Sequence, residues 1–261
     1  MTSVQDVHVP LTDGSALPAA LALPDPAPRA GVGDVSGASD PTRPGVLVIH
    51  EAIGLTDDIR RIAVDFADAG YVALAPDFLA GLGPMPFCIA RFARGIGRVR
   101  TGRPYRQLSA AQEWLGARND VDAGRIGVAG FCMGGGFALL YAAGADVDVV
   151  APFYAAVPKD DTALAGVCPV VASYGARDRI FGSGGPRLAG MLDRLGVEHD
   201  IATYPDAGHS FANQHRGGLA RLEAILPTHG GYAPDAAADA WRRTLAFFDR
   251  HLGPLRDVVD G

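Results

Sequence analysis

The 261-residue sequence predicts an α/β fold: a mainly parallel sheet covered by helices on both faces. Two observations carry that expectation. Short continuous apolar runs such as Val46-Leu47-Val48-Ile49 alternate with helix-period segments, and a run apolar on both faces is what a doubly covered parallel strand requires. The stretch 125–141 then sets the strand-like Arg125-Ile126-Gly127-Val128-Ala129, the glycine-flanked Gly130-Phe131-Cys132-Met133-Gly134-Gly135 and the helix-compatible Phe137-Ala138-Leu139-Leu140-Tyr141 in direct succession. Strand, nucleophile between glycines and helix in that order make a nucleophile elbow.

Taken in order, residues 4–9 and 16–23 read as a hairpin around Thr12-Asp13-Gly14-Ser15, and the Pro/Gly-rich stretch 24–44 as a surface loop. The run 45–50 is a buried strand. Apolar positions at Ile59, Ile62, Ala63, Phe66 and Ala67 mark a helix closed by Gly70, and 71–75 is the next strand, which completes a βαβ unit. Residues 79–108 interrupt the rhythm. They are rich in Pro, Gly and Arg, with no acidic residue from Arg91 to Arg106, and read as a candidate cap segment or a solvated excursion. Alternation resumes with a helix at 109–115, the elbow strand and its helix, strands at 147–153 and 170–174, a helix at 186–195, a strand at 199–204 and a closing helix at 236–251. All of this fits within a single domain.

Composition narrows the class. The chain is 48% apolar and 20% charged with net charge −6, and no apolar run is long enough to span a bilayer, so nucleic acid and membrane spans are not expected. The first residues show neither the positive flank nor the apolar core of a secretory signal, which makes a cytoplasmic location the expectation. Cys88, Cys132 and Cys168 are odd in number and lack metal-ligand spacing, so neither a disulfide framework nor a metal site is implied.

In open α/β sheets the reactive groups collect where strands end. Cys132 follows one strand. Asp178 follows the run Val170-Val171-Ala172-Ser173-Tyr174 through Gly175-Ala176-Arg177, and His209 follows Tyr204 through Pro205-Asp206-Ala207-Gly208. Nucleophile, acid and base thus occur in the chain order of α/β-hydrolases, with Asp206 as the runner-up for the acid. A thiol needs a base to become the thiolate nucleophile, and the base needs an acid to orient it. The Met133 N–H is one expected oxyanion donor, and Ala52 or Ile53, in the loop after His50, supplies the other.

These residues resemble the dienelactone hydrolase family of α/β-hydrolases. The resemblance runs from Val46 onward through His-Glu-Ala-Ile-Gly-Leu at 50–55, Ala-Pro-Asp at 75–77, Gly-Phe-Cys-Met-Gly-Gly at 130–135, Gly-Ala-Arg-Asp at 175–178 and Ala-Gly-His-Ser-Phe-Ala at 207–212. It implies an α/β-hydrolase fold, a Cys132–Asp178–His209 triad, an oxyanion hole of Ala52 and Met133, and a Glu51 that interacts with the thiol in the resting enzyme. Phe131, Ile53 and Asn213 flank these groups as candidate substrate contacts. Two positions depart from the family pattern: Asn213 and Gly81 stand where arginines bind the substrate carboxylate, and Asn cannot replace a guanidinium there. Arginines of 91–106, Arg177 and Arg216 are the candidates to compensate.

The function expected is hydrolysis of a small ester, lactone or thioester through an acyl-Cys132 intermediate, with no cofactor implied and the oligomeric state left open. A redox-sensing or binding protein using Cys132 as an oxidisable thiol, and an acyltransferase with a different acceptor, are the alternatives.

Overall fold

The computed structural model describes residues 3–25, 42–80, 102–217 and 228–253. Most of the loop expected at 24–44, and 81–101 of the candidate cap with Gly81 and Cys88, lie outside them. Eight strands form one sheet: β1 Ser3–Pro10, β2 Ala16–Leu23, β3 Arg43–Ile49, β4 Val72–Pro76, β5 Val121–Phe131, β6 Val149–Phe153, β7 Val170–Gly175 and β8 His199–Tyr204. Their order is β1-β2-β4-β3-β5-β6-β7-β8. The hairpin β1/β2 is antiparallel and joins β4 antiparallel, whereas every pairing from β4 to β8 is parallel.

Five helices cover the sheet: α1 Asp57–Asp68, α2 Arg103–Gly116, α3 Met133–Ala142, α4 Gly184–Leu195 and α5 Pro234–Leu252. Strand alternation sorts the core. Leu47, Ile49, Val128 and Val150 face α2, α3 and α4, where Leu108, Leu115, Leu139 and Leu188 are buried, while Val46, Val48, Ala129 and Ala151 face α1 and α5 through Ile59, Phe66, Phe247 and Phe248. The central strands are thus apolar on both sides, as their sequences predict. These are the two helical layers of an α/β-hydrolase fold.

α1 opens on Thr56, whose side chain accepts the Ile59 N–H, and carries Asp57 and Asp58 in its first turn, where acidic groups offset the helix dipole. α2 begins at Arg103, six residues before the periodic segment 109–115, so residues 103–108 belong to a helix and not to a cap. Pro104 in the first turn, with Gln107 and Leu108 buried, explains the earlier start. β5 likewise extends to both sides of the 126–129 core, with a register shift opposite Pro44/Gly45.

Candidate active site

Consecutive strand exits assemble the site. At the end of β5, Cys132 adopts φ 54° and ψ −116°, a left-handed conformation that points the side chain out of the strand-to-helix turn. The turn closes only because its neighbours lack side chains. A Cβ at Gly134 would lie 2.4 Å from the carbonyl oxygens of both Ile49 and His50, and one at Gly130 would lie 2.2 Å from the Gly134 carbonyl oxygen. The Cys132 N–H donates to the Phe153 carbonyl oxygen at 3.1 Å, tying the elbow to the end of β6.

Asp178 follows β7 and is buried. Its Oδ1 accepts the N–H groups of Ile180 (2.9 Å) and Phe181 (3.1 Å), which leaves Oδ2 directed at His209 Nδ1, 2.6 Å away. The loops carrying the two groups lock together at Gly175, where a Cβ would meet the Gly208 and Ala207 carbonyl oxygens at 2.3 and 2.5 Å. His209 is itself buried, with the rings of Tyr154 and Phe181 each centred 5.0 Å from the imidazole. Burial alone would lower its pKa, but hydrogen bonds to Asp178 and Cys132, with the charges of both, outweigh that and raise it to about 10. The structure thus brings Cys132, His209 and Asp178 into one connected array. Asp206, the other candidate acid, is exposed on the turn after β8. Cys168 lies away from the elbow, and burial pushes its thiol up to about 12.

The loop after β3 supplies the facing wall. Ala52 and Ile53 are half-buried there, followed by Gly54 at φ +88°. Among the described residues the Ala52 N–H donates to no backbone carbonyl, and the Met133 N–H is an unpaired donor of the first turn of α3. Glu51 is buried and binds residues that sequence reasoning missed. Its Oε1 accepts from Asn213 Nδ2 at 2.5 Å, and His215 Nε2 lies 3.0 Å from its Oε2. Asn213 Nδ2 also donates to Asp58 Oδ2 at 2.8 Å, while Tyr154 donates its hydroxyl hydrogen to Asn213 Oδ1. Glu51, Asp58 and His215 place ligand atoms within 4.8 Å of one another, which is metal-ligand spacing. A cation there would meet N–H donors: Asn213 already bridges the two carboxylates and Arg61 Nε pairs with Asp58 at 2.7 Å.

Phe131 is core. It stacks on Phe153 with centroids 4.7 Å apart and is 1% exposed, so its ring forms a backing to the elbow and offers little surface to a ligand. A groove lined by Phe131, Phe153, Arg61 and Trp241 lies on the α1–α5 side and includes none of the Cys132, Asp178 and His209 side chains. Arg103, Arg106, Arg177 and Arg216 are exposed, and the remaining arginines of 91–106 lie outside the described residues. No described helix is long and apolar enough to cross a membrane.

Comparison with known proteins agrees with this architecture. The profile of the dienelactone hydrolase family matches residues 33–252. A carboxymethylenebutenolidase from Rhodococcus opacus is 30% identical over 244 residues, covering 87% of this chain and 88% of the relative. The solved structure of m3DLH superimposes with a TM-score of 0.75 at 27% identity, over 96% of this chain and 98% of its own. That of a dienelactone hydrolase-like promiscuous phosphotriesterase from metagenomic libraries gives 0.74 at 23% identity, over 96% and 98%, a likeness of fold. The chain is a hydrolase enzyme and belongs to the dienelactone hydrolase family.

Proposed function

We propose that this hydrolase cleaves a small ester, lactone or thioester by way of an acyl-Cys132 intermediate. The observation that carries the reading is the His209 imidazole, bonded through Nδ1 to Asp178 and bonded also to Cys132 at the strained elbow. With Nδ1–H committed to the carboxylate, Nε2 is the nitrogen left to take the thiol proton. The thiolate sulfur then attacks the acyl carbon, and the carbonyl π pair moves onto oxygen, stabilised by the N–H groups of Met133 and Ala52. Collapse of that intermediate breaks the bond to the leaving oxygen or sulfur, which receives the proton from His209 Nε2. Water attacks the acyl-thioester with His209 again as base, and the acid and the free thiol are regenerated.

The surroundings favour a substrate without a carboxylate at the place where the family binds one. Asn213 stands there, held by Tyr154, Glu51 and Asp58, so this position presents an amide between two acidic groups where a guanidinium would attract an anion. Glu51 is assigned a supporting role beside the thiol, Ile53 a lining role, and Asn213 the role of holding Glu51.

The test compares wild type with Cys132→Ala on p-nitrophenyl acetate, an acyl thioester and a carboxylated dienelactone, with intact mass recorded during turnover. Loss of hydrolysis in the variant and a transient acyl adduct on wild type are the expected results, with the uncharged substrates preferred. Equal turnover by the variant would overturn the reading, and an oxidised Cys132 with no hydrolysis by either protein would move it to a thiol sensor.

A further inference from the structure

We propose that His50 is a positioning residue for the oxyanion hole: its Nδ1–H holds the Glu51 carbonyl and thereby aims the Ala52 N–H. His50 is fully buried at the end of β3. Its Nε2 accepts the Phe78 N–H at 3.0 Å, which assigns the ring proton to Nδ1, and Nδ1 lies 2.5 Å from the Glu51 carbonyl oxygen. The same oxygen accepts the Gly54 N–H at a longer 3.3 Å. A trans peptide holds its C=O and N–H antiparallel, so a carbonyl fixed on one side fixes the direction of the N–H on the other. In the Glu51–Ala52 peptide that N–H belongs to Ala52.

The main chain of the same residue sets the second coordinate. The His50 carbonyl oxygen presses against Gly134, where even a methyl group would come within 2.4 Å, and Gly134 directly follows Met133, the other donor. Side chain and backbone of His50 together therefore set the orientation of one donor and its separation from the other. Burial holds the imidazole below its ordinary pKa, which keeps Nε2 free to accept from Phe78. A donor group aligned in advance stabilises charge as it develops, and misplacing it affects the transition state more than the bound substrate.

This inference rests on the acyl-Cys132 reading, and the experiment separates the two. His50→Asn carries an amide N–H near the place of Nδ1, His50→Gln carries its polar end near the place of Nε2, and His50→Leu carries neither. On p-nitrophenyl acetate, His50→Leu and His50→Gln are expected to lower kcat by roughly 10- to 100-fold with little change in KM. His50→Asn is expected to recover most of that loss. A trifluoromethyl ketone that forms a tetrahedral adduct on Cys132 is expected to lose affinity in the same order. If His50→Leu does not fold, the Gln and Asn variants decide the matter by themselves. Unchanged kcat in Gln, or equal losses in Gln and Asn that track a fall in melting temperature, would overturn the positioning role while Cys132 remained essential. A Cys132→Ala protein as active as wild type would instead overturn the acyl-enzyme reading, and this inference with it.

Discussion

Asp178 and His209 meet through one oxygen only: Oδ2 lies 2.6 Å from Nδ1, while Oδ1 is taken by the N–H groups of Ile180 and Phe181. This division dictates what an amide would do in the same place. In Asp178→Asn the two N–H donors select the amide oxygen for the Oδ1 position, which turns the NH2 group toward the imidazole. Nδ1 must then accept, Nε2 carries the proton, and the base can no longer take one from Cys132. The expected outcome is a folded protein whose kcat falls by about 10³- to 10⁴-fold, as for the equivalent change in chymotrypsin. Steady-state kinetics beside a circular dichroism spectrum checks it, and a kcat within a few-fold of wild type would remove Asp178 from the triad.

Asn213 bridges two buried acids with one nitrogen and receives the Tyr154 hydroxyl on its oxygen. Truncation by Asn213→Ala leaves three buried polar groups short of a partner, two of them carboxylates facing each other. A loss of about 1–3 kcal/mol in unfolding free energy is expected from the unpaired groups, measured by urea denaturation. A neutral effect would mean that His215 and Arg61 suffice to hold Glu51 and Asp58.

The raised pKa of His209 links stability to pH. Its ordinary value is 6.5 and the folded value about 10, so the folded protein retains a proton that the unfolded chain releases. The stabilisation is fully present below pH 6.5 and is lost as pH rises through 10. Comparing wild type with His209→Gln by urea unfolding at constant ionic strength should show a stability difference that shrinks over that interval. A difference that is constant or grows with pH would contradict the assignment.

Gly134→Ala tests the elbow sterically. The added methyl would sit 2.4 Å from two backbone oxygens, which no rotamer can relieve. A destabilisation of about 1–3 kcal/mol and a loss of hydrolysis are expected, read by thermal unfolding and by the acetate assay. Full activity would mean that β3 can retreat from the elbow without moving the oxyanion donors.

Much of this architecture can be read from the chain because the governing signals are local. β3 is legible in its uninterrupted apolar run, and Cys132, Asp178 and His209 each follow closely on such a run. The start of α2 is not legible in the same way. Arg103 and Arg106 are exposed and give no apolar period, so only Pro104 hints at the helix opening. Asp58, Tyr154 and His215 escape notice for a different reason. Asp58 resembles any acidic first-turn residue, Tyr154 the end of a buried strand and His215 a loop histidine without a motif. They converge on Glu51 and Asn213 only through the lateral order of the strands, a long-range property that no window of sequence contains.

The backbone of Cys132 has a consequence for the evolution and engineering of this enzyme. A non-glycine residue held at φ 54° raises the free energy of the native state by about 1–3 kcal/mol. Substitution by glycine would relieve that penalty while abolishing the chemistry, so thermostability and turnover pull in opposite directions at this residue. A selection that rewards only heat resistance would tend to discard the nucleophile. Improvement for use at high temperature therefore belongs at positions remote from the elbow, such as the surface of α5, where order can be gained without disturbing a conformation that catalysis requires.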